Sequence, residues 1–373
     1  MMTNKLMRKR EKIRAQMKSR FYYWFWGATA VAVVGGQLYV GTSYRIMAKS
    51  MNRWFDEAVQ ALIEIPKGTG PKGYYAPMPV LKFILITVAY NKTPLRYPGG
   101  KSKALAKLCE QLPDLNAYEE FREPFLGGGS VAIHISRIYP HLDIWVNDLY
   151  EPLYQFWRVL QRNVPDLMTE LLELKEKYSD SEGYTDSNLF YEKKEYLEKP
   201  LTETTPMGRA VAFYVTNKCS FSGLSMNSSF SKLASKQNFT AHGIKYLPEF
   251  SKLIQNWTIT NFSYERLLSP DNLTEINTTK FLYLDPPYEI KSNLYGTKGD
   301  MHKGFSHELF AKDCMKCDID QLISYNESVL DEDRFKGWTA STYEHTYSLR
   351  HSDANYIENQ KQRKELLLRN YVI

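Results

Sequence analysis

The stretch REPFLGGGSVAI, residues 122–133, joins an apolar strand pattern to a helical pattern through three consecutive glycines. Glycine adopts backbone conformations that other residues avoid, so such a turn lets the backbone approach a bound molecule closely. Strand, glycine turn and helix in this order are typical of a cofactor site in an α/β protein. A glycine turn alone is weak evidence for a cofactor site.

Apolar runs that end in polar, glycine or proline residues recur after residue 92 and predict strands. They are YEEFREPF (118–125), LDIWVND (142–148), KFLYLDPPY (280–288) and QLISYNES (321–328). Helical patterns separate them, as in Leu153, Phe156, Trp157 and Leu160 at i, i+3, i+4 and i+7. This alternation predicts an α/β fold with a parallel sheet that binds ligands at the carboxyl ends of its strands.

The amino-acid composition is that of a folded globular protein. Of the 373 residues, 43% are hydrophobic and 24% are charged, which excludes global disorder. Four scattered cysteines favour a reducing compartment over a disulfide framework. The net charge of +6 comes from residues 1–20, which hold eight Lys or Arg and one acid, so it says nothing about nucleic acid.

The motif Asp285-Pro286-Pro287-Tyr288 ends an apolar strand. Two prolines cannot continue a central strand, so the chain stops there and presents Asp285 and Tyr288 at the sheet edge. A carboxylate and a backbone carbonyl can accept the two hydrogens of an exocyclic amine, which makes its lone pair more nucleophilic. Tyr288 can stack on a planar base that has been pulled out of a duplex. The alternative is a strand-ending turn with an exposed acid.

Two further motifs stand at positions where a cofactor would bind. LRYPGGKSKAL (95–105) places Tyr97 and a Gly-Gly turn before Lys101. Asp148 ends the second predicted strand, where an acid commonly binds ribose hydroxyls. The alternatives are a solvated lysine at a helix start and an N-cap for the helix beginning at Glu151.

Charge divides the segment between the second and third predicted strands. Residues 161–205 have a net charge of −5, whereas residues 207–260 have a net charge of +5 and are rich in Ser and Asn. The basic part is either a solvated loop or a surface that contacts phosphates.

The ordered set LRYPGGK, EPFLGGGS, ND and DPPY resembles the Dam-type (D12 class) adenine-N6 DNA methyltransferases, over roughly residues 92–373. The resemblance implies a Rossmann-like S-adenosylmethionine-dependent methyltransferase sheet with a mainly helical target-recognition insertion. It assigns residues 91–160 and 261–373 to the catalytic parts and residues 161–260 to the insertion. The implied function is site-specific methylation of adenine N6 in double-stranded DNA, in restriction-modification or phage DNA protection, by a monomer without a metal.

The resemblance also assigns roles to residues. The implied cofactor-binding residues are Tyr97, Lys101, Glu123, Phe125, Gly127, Gly129, Ser130, Asp148 and Asp285. The implied catalytic residues are Asp285, Pro286, Pro287 and Tyr288, while RKELLLRNY (363–371) resembles the closing strand region. NKCSFSGL (217–224) resembles the start of the target-recognition segment. In that region we expect Lys218, Lys232 and Lys236 to contact phosphates and Asn217, Asn227 and Gln237 to contact base edges.

The same residues argue against several other functions. Cytosine-C5 methylation needs a cysteine nucleophile, usually after proline, and no cysteine here follows one. Cytosine-N4 enzymes usually carry Ser in place of Asp285, so the aspartate favours adenine. The family's Phe-Asn-Val-Pro-Phe-Gly run is absent after Leu224, which leaves the target sequence open. A membrane-anchored DNA-binding or interaction protein with a degenerate methylase body is a further alternative, and the intact motifs argue against it.

The first 90 residues contain no motif that indicates catalysis or ligand binding. Residues 21–44 contain no charged residue and follow the basic run, which predicts a transmembrane helix; a buried helix of a soluble domain is the alternative. Residues 65–79 contain four prolines and three glycines, which is typical of a linker. We therefore expect a cytoplasmic methyltransferase domain, with the N-terminal segment as a membrane tether or a dispensable fusion.

Overall fold

The structure is a computed structural model that describes residues 93–223, 229–269, 279–288, 304–326, 333–346 and 362–373. The predicted membrane segment 21–44, the linker 65–79 and Asn227 lie outside the described residues. In these ranges no helix is both long enough and apolar enough to cross a membrane.

A seven-stranded sheet forms the centre of the described region. Its strands are β1 Glu120–Glu123, β2 Asp143–Asn147, β3 Thr258–Thr260, β4 Lys280–Leu284, β5 Asp320–Asn326, β6 Thr339–Thr346 and β7 Gln362–Arg369. They lie in the order β3-β2-β1-β4-β5-β7-β6. The first five are parallel, while β7 runs antiparallel between β5 and β6.

The helices cover the sheet and fill the segment between β2 and β3. They are α1 Leu105–Cys109, α2 Ser130–Ile138, α3 Glu151–Arg162, α4 Val164–Lys177, α5 Ser187–Glu198, α6 Pro206–Cys219, α7 Lys232–Asn238, α8 Ala241–Lys245, α9 Leu247–Leu253, α10 Glu265–Leu268 and α11 His307–Lys316. The described parts therefore confirm the predicted α/β class and the mainly helical insertion.

Burial on both faces explains why β4 (KFLYL) is continuously apolar after its first residue rather than alternating. The strands β1 and β4 lie in the middle of the sheet, and helices cover both faces of a parallel sheet. Even Arg122 of β1 is fully buried; it forms an ion pair with Glu120 at 2.8 Å and donates to the carbonyl of Leu267 at 2.7 Å. The buried charge of Arg122 is thus satisfied by a carboxylate and a carbonyl inside the core, whereas the buried hydroxyl of Tyr283 in β4 has no hydrogen-bond partner among the described residues.

All four predicted strands are confirmed, as is the closing strand predicted within residues 363–371. Two strands, β3 and β6, were not predicted. The three residues of β3 are too short for a periodic signal, and β6 (TASTYEHT) is largely polar. Because β3 pairs with β2, the last three residues of the predicted insertion 161–260 belong to the sheet.

Inside the insertion, α6 is the helix around which the others pack. It is buried along most of its length, and its Phe213 and Tyr214 rings contact Phe156 of α3 at centroid distances of 6.1 and 5.7 Å. Arg209 of α6 is ion-paired with Glu151, the first residue of α3, at 2.5 Å. The insertion is therefore joined to the catalytic part through a shared core.

Candidate active site

The site lies where the strand order reverses. The chain runs outward in one direction from β1 to β2 and β3, and in the other from β4 to β5, so the loops after β1 and β4 diverge. A crevice opens outside the carboxyl ends of the strands at such a point. The pocket found there is lined by eight predicted cofactor residues, Tyr97, Lys101, Glu123, Phe125, Gly127, Ser130, Asp148 and Asp285, and by Pro286 and Pro287.

The glycine turn after β1 is shaped by contact with Tyr97. Gly127 has φ +49°, and a Cβ placed on it would lie 2.8 Å from the Tyr97 ring. A Cβ on Gly128 would lie equally close, 2.8 Å from the Tyr97 Cβ. Glycine is needed at these positions because the backbone passes directly against the aromatic ring.

Gly129, also predicted to bind the cofactor, packs against the helix α3. It is absent from the pocket lining and has φ +68° directly before α2, where a Cβ would lie 2.8 Å from the ring of Trp157. Its conformation and its lack of a side chain allow the close packing of α2 against α3. Gly129 thus lets α2 and α3 pack closely behind the glycine turn, and it is not one of the residues that line the pocket.

Asp148 holds the turn in place from the end of β2. Its Oδ2 accepts the N–H of Gly127 at 2.8 Å and its Oδ1 accepts the N–H of Tyr150 at 2.9 Å. Burial raises the pKa of Asp148 to about 6, against the effect of these two hydrogen bonds. The side chain is half-buried, so its remaining lone pairs face the pocket.

Glu123 lies at the opposite side of the turn, at the end of β1. It is 3% exposed, and its Oε2 accepts the N–H of Ala132 in the first turn of α2 at 2.8 Å. Burial raises the pKa of Glu123 well above its ordinary value, and the charges of Asp285 and Asp148 raise it further. Three carboxyl groups, those of Glu123, Asp148 and Asp285, thus line the pocket together with the ammonium of Lys101.

Lys101 and Asp285 form the ion pair that connects the first motif to the last. The Lys101 Nζ lies 2.8 Å from both carboxylate oxygens of Asp285 and donates to the carbonyl of Gly99 at 3.1 Å. The backbone N–H of Lys101 also donates to Ser130 Oγ at 3.1 Å. Burial raises the pKa of Asp285 to about 6, while Lys101 lowers it and Glu365 raises it. The alternative of a solvated lysine is therefore excluded, since Lys101 is 3% exposed.

One wall of the pocket is aromatic. The ring of Phe125 stacks on Tyr264 at 5.6 Å and meets the edge of Phe305 at 6.0 Å, and all three residues line the pocket. Tyr264 and Phe305 had no motif in the sequence to mark them. A planar ring system would find a stacking surface here.

Tyr288 lies beside the pocket but is not among its lining residues. Its hydroxyl donates to Glu365 Oε2 at 3.1 Å, and its ring is nearly parallel to that of Tyr325 at 6.2 Å. The Lys101 Nζ lies 4.9 Å from the centre of the Tyr288 ring. Stacking of Tyr288 on a flipped base stays a prediction.

Asn217 does not have the predicted exposure. The residue is fully buried at the end of α6, and its Nδ2 donates to the carbonyls of Arg96 at 2.6 Å and Gly223 at 2.9 Å. Its Oδ1 accepts the N–H of Arg96 at 3.1 Å. This placement contradicts the prediction that Asn217 contacts base edges, because its polar atoms already bind the backbone.

The remaining predicted DNA contacts differ in exposure. Lys218 is half-buried above the Tyr214 ring, and burial lowers its pKa to about 8. Lys232 and Lys236 of α7 are exposed, with ammonium groups 4.7 and 4.4 Å from the ring of Tyr184. Gln237 is exposed on the same helix. The helix α7 therefore presents two cations and an amide to solvent.

Sequence reasoning missed Glu365 and Tyr343, which come from β7 and β6. The Tyr343 hydroxyl donates to Glu365 Oε2 at 2.7 Å, and the same oxygen lies 3.9 Å from Lys101 Nζ. The signal available was a glutamate beside the run LLL in the closing strand, since a charged residue next to so apolar a stretch needs a partner. Within the ranges the structure covers, no group of three potential metal ligands occurs.

The model of the D12 class N6 adenine-specific DNA methyltransferase family matches residues 97–364. The chain therefore belongs to this family, and the protein is an adenine-specific DNA methyltransferase. It is 24% identical over 205 residues to the type II methyltransferase M.MjaIII of Methanocaldococcus jannaschii, covering 52% of this chain and 68% of that protein. It is 25% identical over 276 residues to the type II methyltransferase M1.LlaDCHI of Lactococcus lactis subsp. cremoris, covering 69% and 90%. The DNA N-6-adenine-methyltransferase of Escherichia phage P1 is 27% identical over 135 residues, covering 36% and 16%.

Proposed function

We propose that this protein binds S-adenosylmethionine in the pocket at the ends of β1 and β4 and methylates adenine N6 at a specific site in double-stranded DNA. The assignment of the reacting centre rests on one observation of the structure. Asp285, at the end of β4, is fixed by the buried Lys101 and lines the same pocket as the glycine turn. The catalytic acid and the cofactor-binding turn thus share one cavity.

The residues of the pocket fit this methyl donor. S-adenosylmethionine, when bound, supplies a methyl group on a positively charged sulfur. Asp148 offers acceptor lone pairs suited to ribose hydroxyls. The Gly127 and Gly128 turn packs against Tyr97 and lines the pocket with it, so the turn and the aromatic ring can both contact the ligand.

Asp285 and the prolines after it perform the chemistry on the substrate amine. The carboxylate of Asp285 and the carbonyl of Pro286 accept the two N6 hydrogens, which localises the nitrogen lone pair. Neither Pro286 nor Pro287 has an N–H, so the motif presents acceptors without a competing donor. Formation of the bond between the nitrogen and the methyl carbon would break the carbon–sulfur bond of the donor, which would leave as S-adenosylhomocysteine. The nitrogen would shed one proton, which Asp285 would take and pass to water.

The insertion supplies the DNA surface in this proposal. The exposed face of α7 carries Lys232, Lys236 and Gln237, and its two cations suit a phosphate backbone. Since phosphate contacts carry no sequence information, the target site must be selected by other groups on this segment. The relatives named type II methyltransferases support a role in a restriction-modification pair.

The test combines binding, chemistry and product mapping. Calorimetric titration with S-adenosylmethionine is expected to show one site, and incubation with duplex DNA to produce N6-methyladenine detected by mass spectrometry. Asp285→Ala is expected to lose methylation while remaining folded and able to bind DNA. Methylation by Asp285→Ala at the wild-type rate would refute the assignment of Asp285 as a catalytic residue. Sequencing of methylated DNA from cells that express the protein identifies the target site.

Residues 1–90 form a separate part in this proposal, either a membrane tether through residues 21–44 or a dispensable fusion. The basic run before residue 21 favours a cytoplasmic N-terminus, so one crossing would separate the catalytic part from DNA. For this reason we favour the fusion. A chain that begins at Lys92 is expected to be fully active, and loss of cofactor binding on truncation would contradict the boundary.

A further inference from the structure

We infer that Glu365 is a positioning residue of the methyl-transfer site, where it shares the Lys101 ammonium with Asp285 and so leaves Asp285 able to accept the hydrogens of the target amine. This inference rests on the proposed role of Asp285 and extends it to a second carboxylate on a different strand. Glu365 is placed by β7, opposite Tyr343 of β6. It lies in the run RKELLLRNY, which the sequence identified as a strand without giving Glu365 a role.

The first observation is the sharing of one cation. The Lys101 Nζ lies 2.8 Å from the Asp285 carboxylate and 3.9 Å from Glu365 Oε2. The side chains of Lys101 and Glu365 are 4% and 3% exposed, whereas that of Asp285 is 21% exposed. Water therefore screens the inner pair little, while Asp285 retains access to the pocket.

The second observation is the set of hydrogen bonds that keeps Glu365 in place. Tyr343 donates to its Oε2 at 2.7 Å and Tyr288 donates to the same atom at 3.1 Å. The Tyr288 hydroxyl also lies 3.2 Å from Ser324 Oγ. Burial of a carboxylate costs free energy unless donors surround it, and here one of those donors comes from the DPPY motif itself.

These contacts have a consequence for catalysis. An ammonium paired with Asp285 alone would neutralise most of its negative charge and weaken it as an acceptor. A second carboxylate on the same ammonium offsets part of that effect. Glu365 thus acts through Lys101 and touches no reacting atom in this assignment.

Several ionisable groups from the surrounding elements interact electrostatically with Asp285, and a pH experiment has to separate them from Glu365. They are Lys101 before α1, Glu123 of β1, Tyr283 of β4, Tyr288 after β4, Tyr343 of β6 and Glu365 of β7. Both carboxyl groups in this set, Glu123 and Glu365, interact with Asp285 through their charges, and only Glu365 is also within 4 Å of the Lys101 ammonium.

The experiment compares kcat and kcat/KM against pH for the full chain and Glu365→Gln. Because the neutral amide removes a negative charge near Asp285, we expect the acidic limb of the profile to move to lower pH by about 0.5 to 1 unit. The kcat on the plateau is expected to fall about tenfold with KM for DNA unchanged, since Asp285 becomes a weaker acceptor.

The matched control is Glu120→Gln, which also neutralises a buried strand glutamate paired with a cation. Glu120 lies at the amino end of the parallel strands, whereas Glu365 lies opposite the carboxyl end of β5. The Glu120→Gln variant is expected to lower the melting temperature without moving the acidic limb. A Glu365→Gln variant that loses stability but keeps the wild-type pH profile would overturn the inference, because the residue would then be structural.

If Glu365→Gln does not fold, the variant Glu365→Asp tests the positioning role of Glu365 instead. It keeps the charge but draws it back from Lys101, so kcat is expected to fall about threefold or more. Wild-type kcat in this variant would overturn the inference. Failure of the proposed function itself is recognised separately, by an inactive wild-type protein or an active Asp285→Ala.

Discussion

The side-chain amide of Asn217 binds both backbone groups of Arg96, donating to the carbonyl at 2.6 Å and accepting the N–H at 3.1 Å. Arg96 in turn donates through Nη1 to the carbonyl of Ser220 at 3.1 Å. A Cβ on Gly223 would lie 2.4 Å from the Arg96 carbonyl oxygen, so these two segments are in direct contact. The helical insertion is therefore fixed to the residue immediately before Tyr97, which lines the pocket.

Replacement of Asn217 with alanine is expected to destabilise the protein. The change leaves the buried carbonyls of Arg96 and Gly223 and the N–H of Arg96 without their partner, at a cost of about 1–3 kcal/mol for each group that finds no water. Thermal unfolding should show a lower melting temperature, and calorimetry weaker binding of S-adenosylmethionine. The control Gln237→Ala removes an exposed amide of the same insertion and should leave the melting temperature unchanged.

Gly127→Ala is expected to disturb the cofactor pocket by more than the strain of its backbone. The added methyl group would lie 2.8 Å from the Tyr97 ring, at φ +49°. Gly183→Ala is a matched control, because Gly183 has φ +84° but no atom within 4 Å of the added carbon. Gly183→Ala should lose about 1 kcal/mol of stability, whereas Gly127→Ala should lose more and should also weaken cofactor binding. Equal affinities of the two variants would contradict this role of the turn.

The pH dependence of kcat/KM should report the ionisation of Asp285. Its pKa is about 6, raised by burial, so the carboxylate that accepts the amine hydrogens is lost as the pH falls through 6. Activity is expected to rise from pH 5 to pH 7 and then level off. Lys101→Met removes the cation that lowers this pKa and should move the acidic limb to higher pH, opposite in sign to Glu365→Gln. A shift of both variants in the same direction would contradict this assignment of charges.

Replacement of Lys232 and Lys236 by alanine tests the DNA surface. Each removed phosphate contact should flatten the dependence of log K on log salt concentration by about 1, and binding should weaken equally for all sequences. Lys252→Ala is the control, since Lys252 is exposed on α9 and paired with Glu249. A change in the preferred target site, measured by sequencing the methylated DNA, would show that these lysines read sequence instead.

The sequence predicted the parts of this protein whose chemistry is local. The strand runs 142–148 and 280–288, the glycine turn and the DPPY motif each combine hydrophobic pattern with backbone restriction over fewer than a dozen residues. Such signals do not depend on the rest of the chain. Eight of the nine predicted cofactor residues consequently line one pocket in the structure.

The tertiary structure decided which polar residues face the site and which serve the core. Asn217 and Glu365 are both buried, and nothing within their own segments distinguishes an amide that binds Arg96 from one that faces DNA. Their partners are 121 residues away in the case of Arg96 and 77 in the case of Tyr288. Burial of a polar group is tolerated only where a distant segment satisfies its hydrogen bonds, and that condition is met only when the sheet and the insertion have assembled.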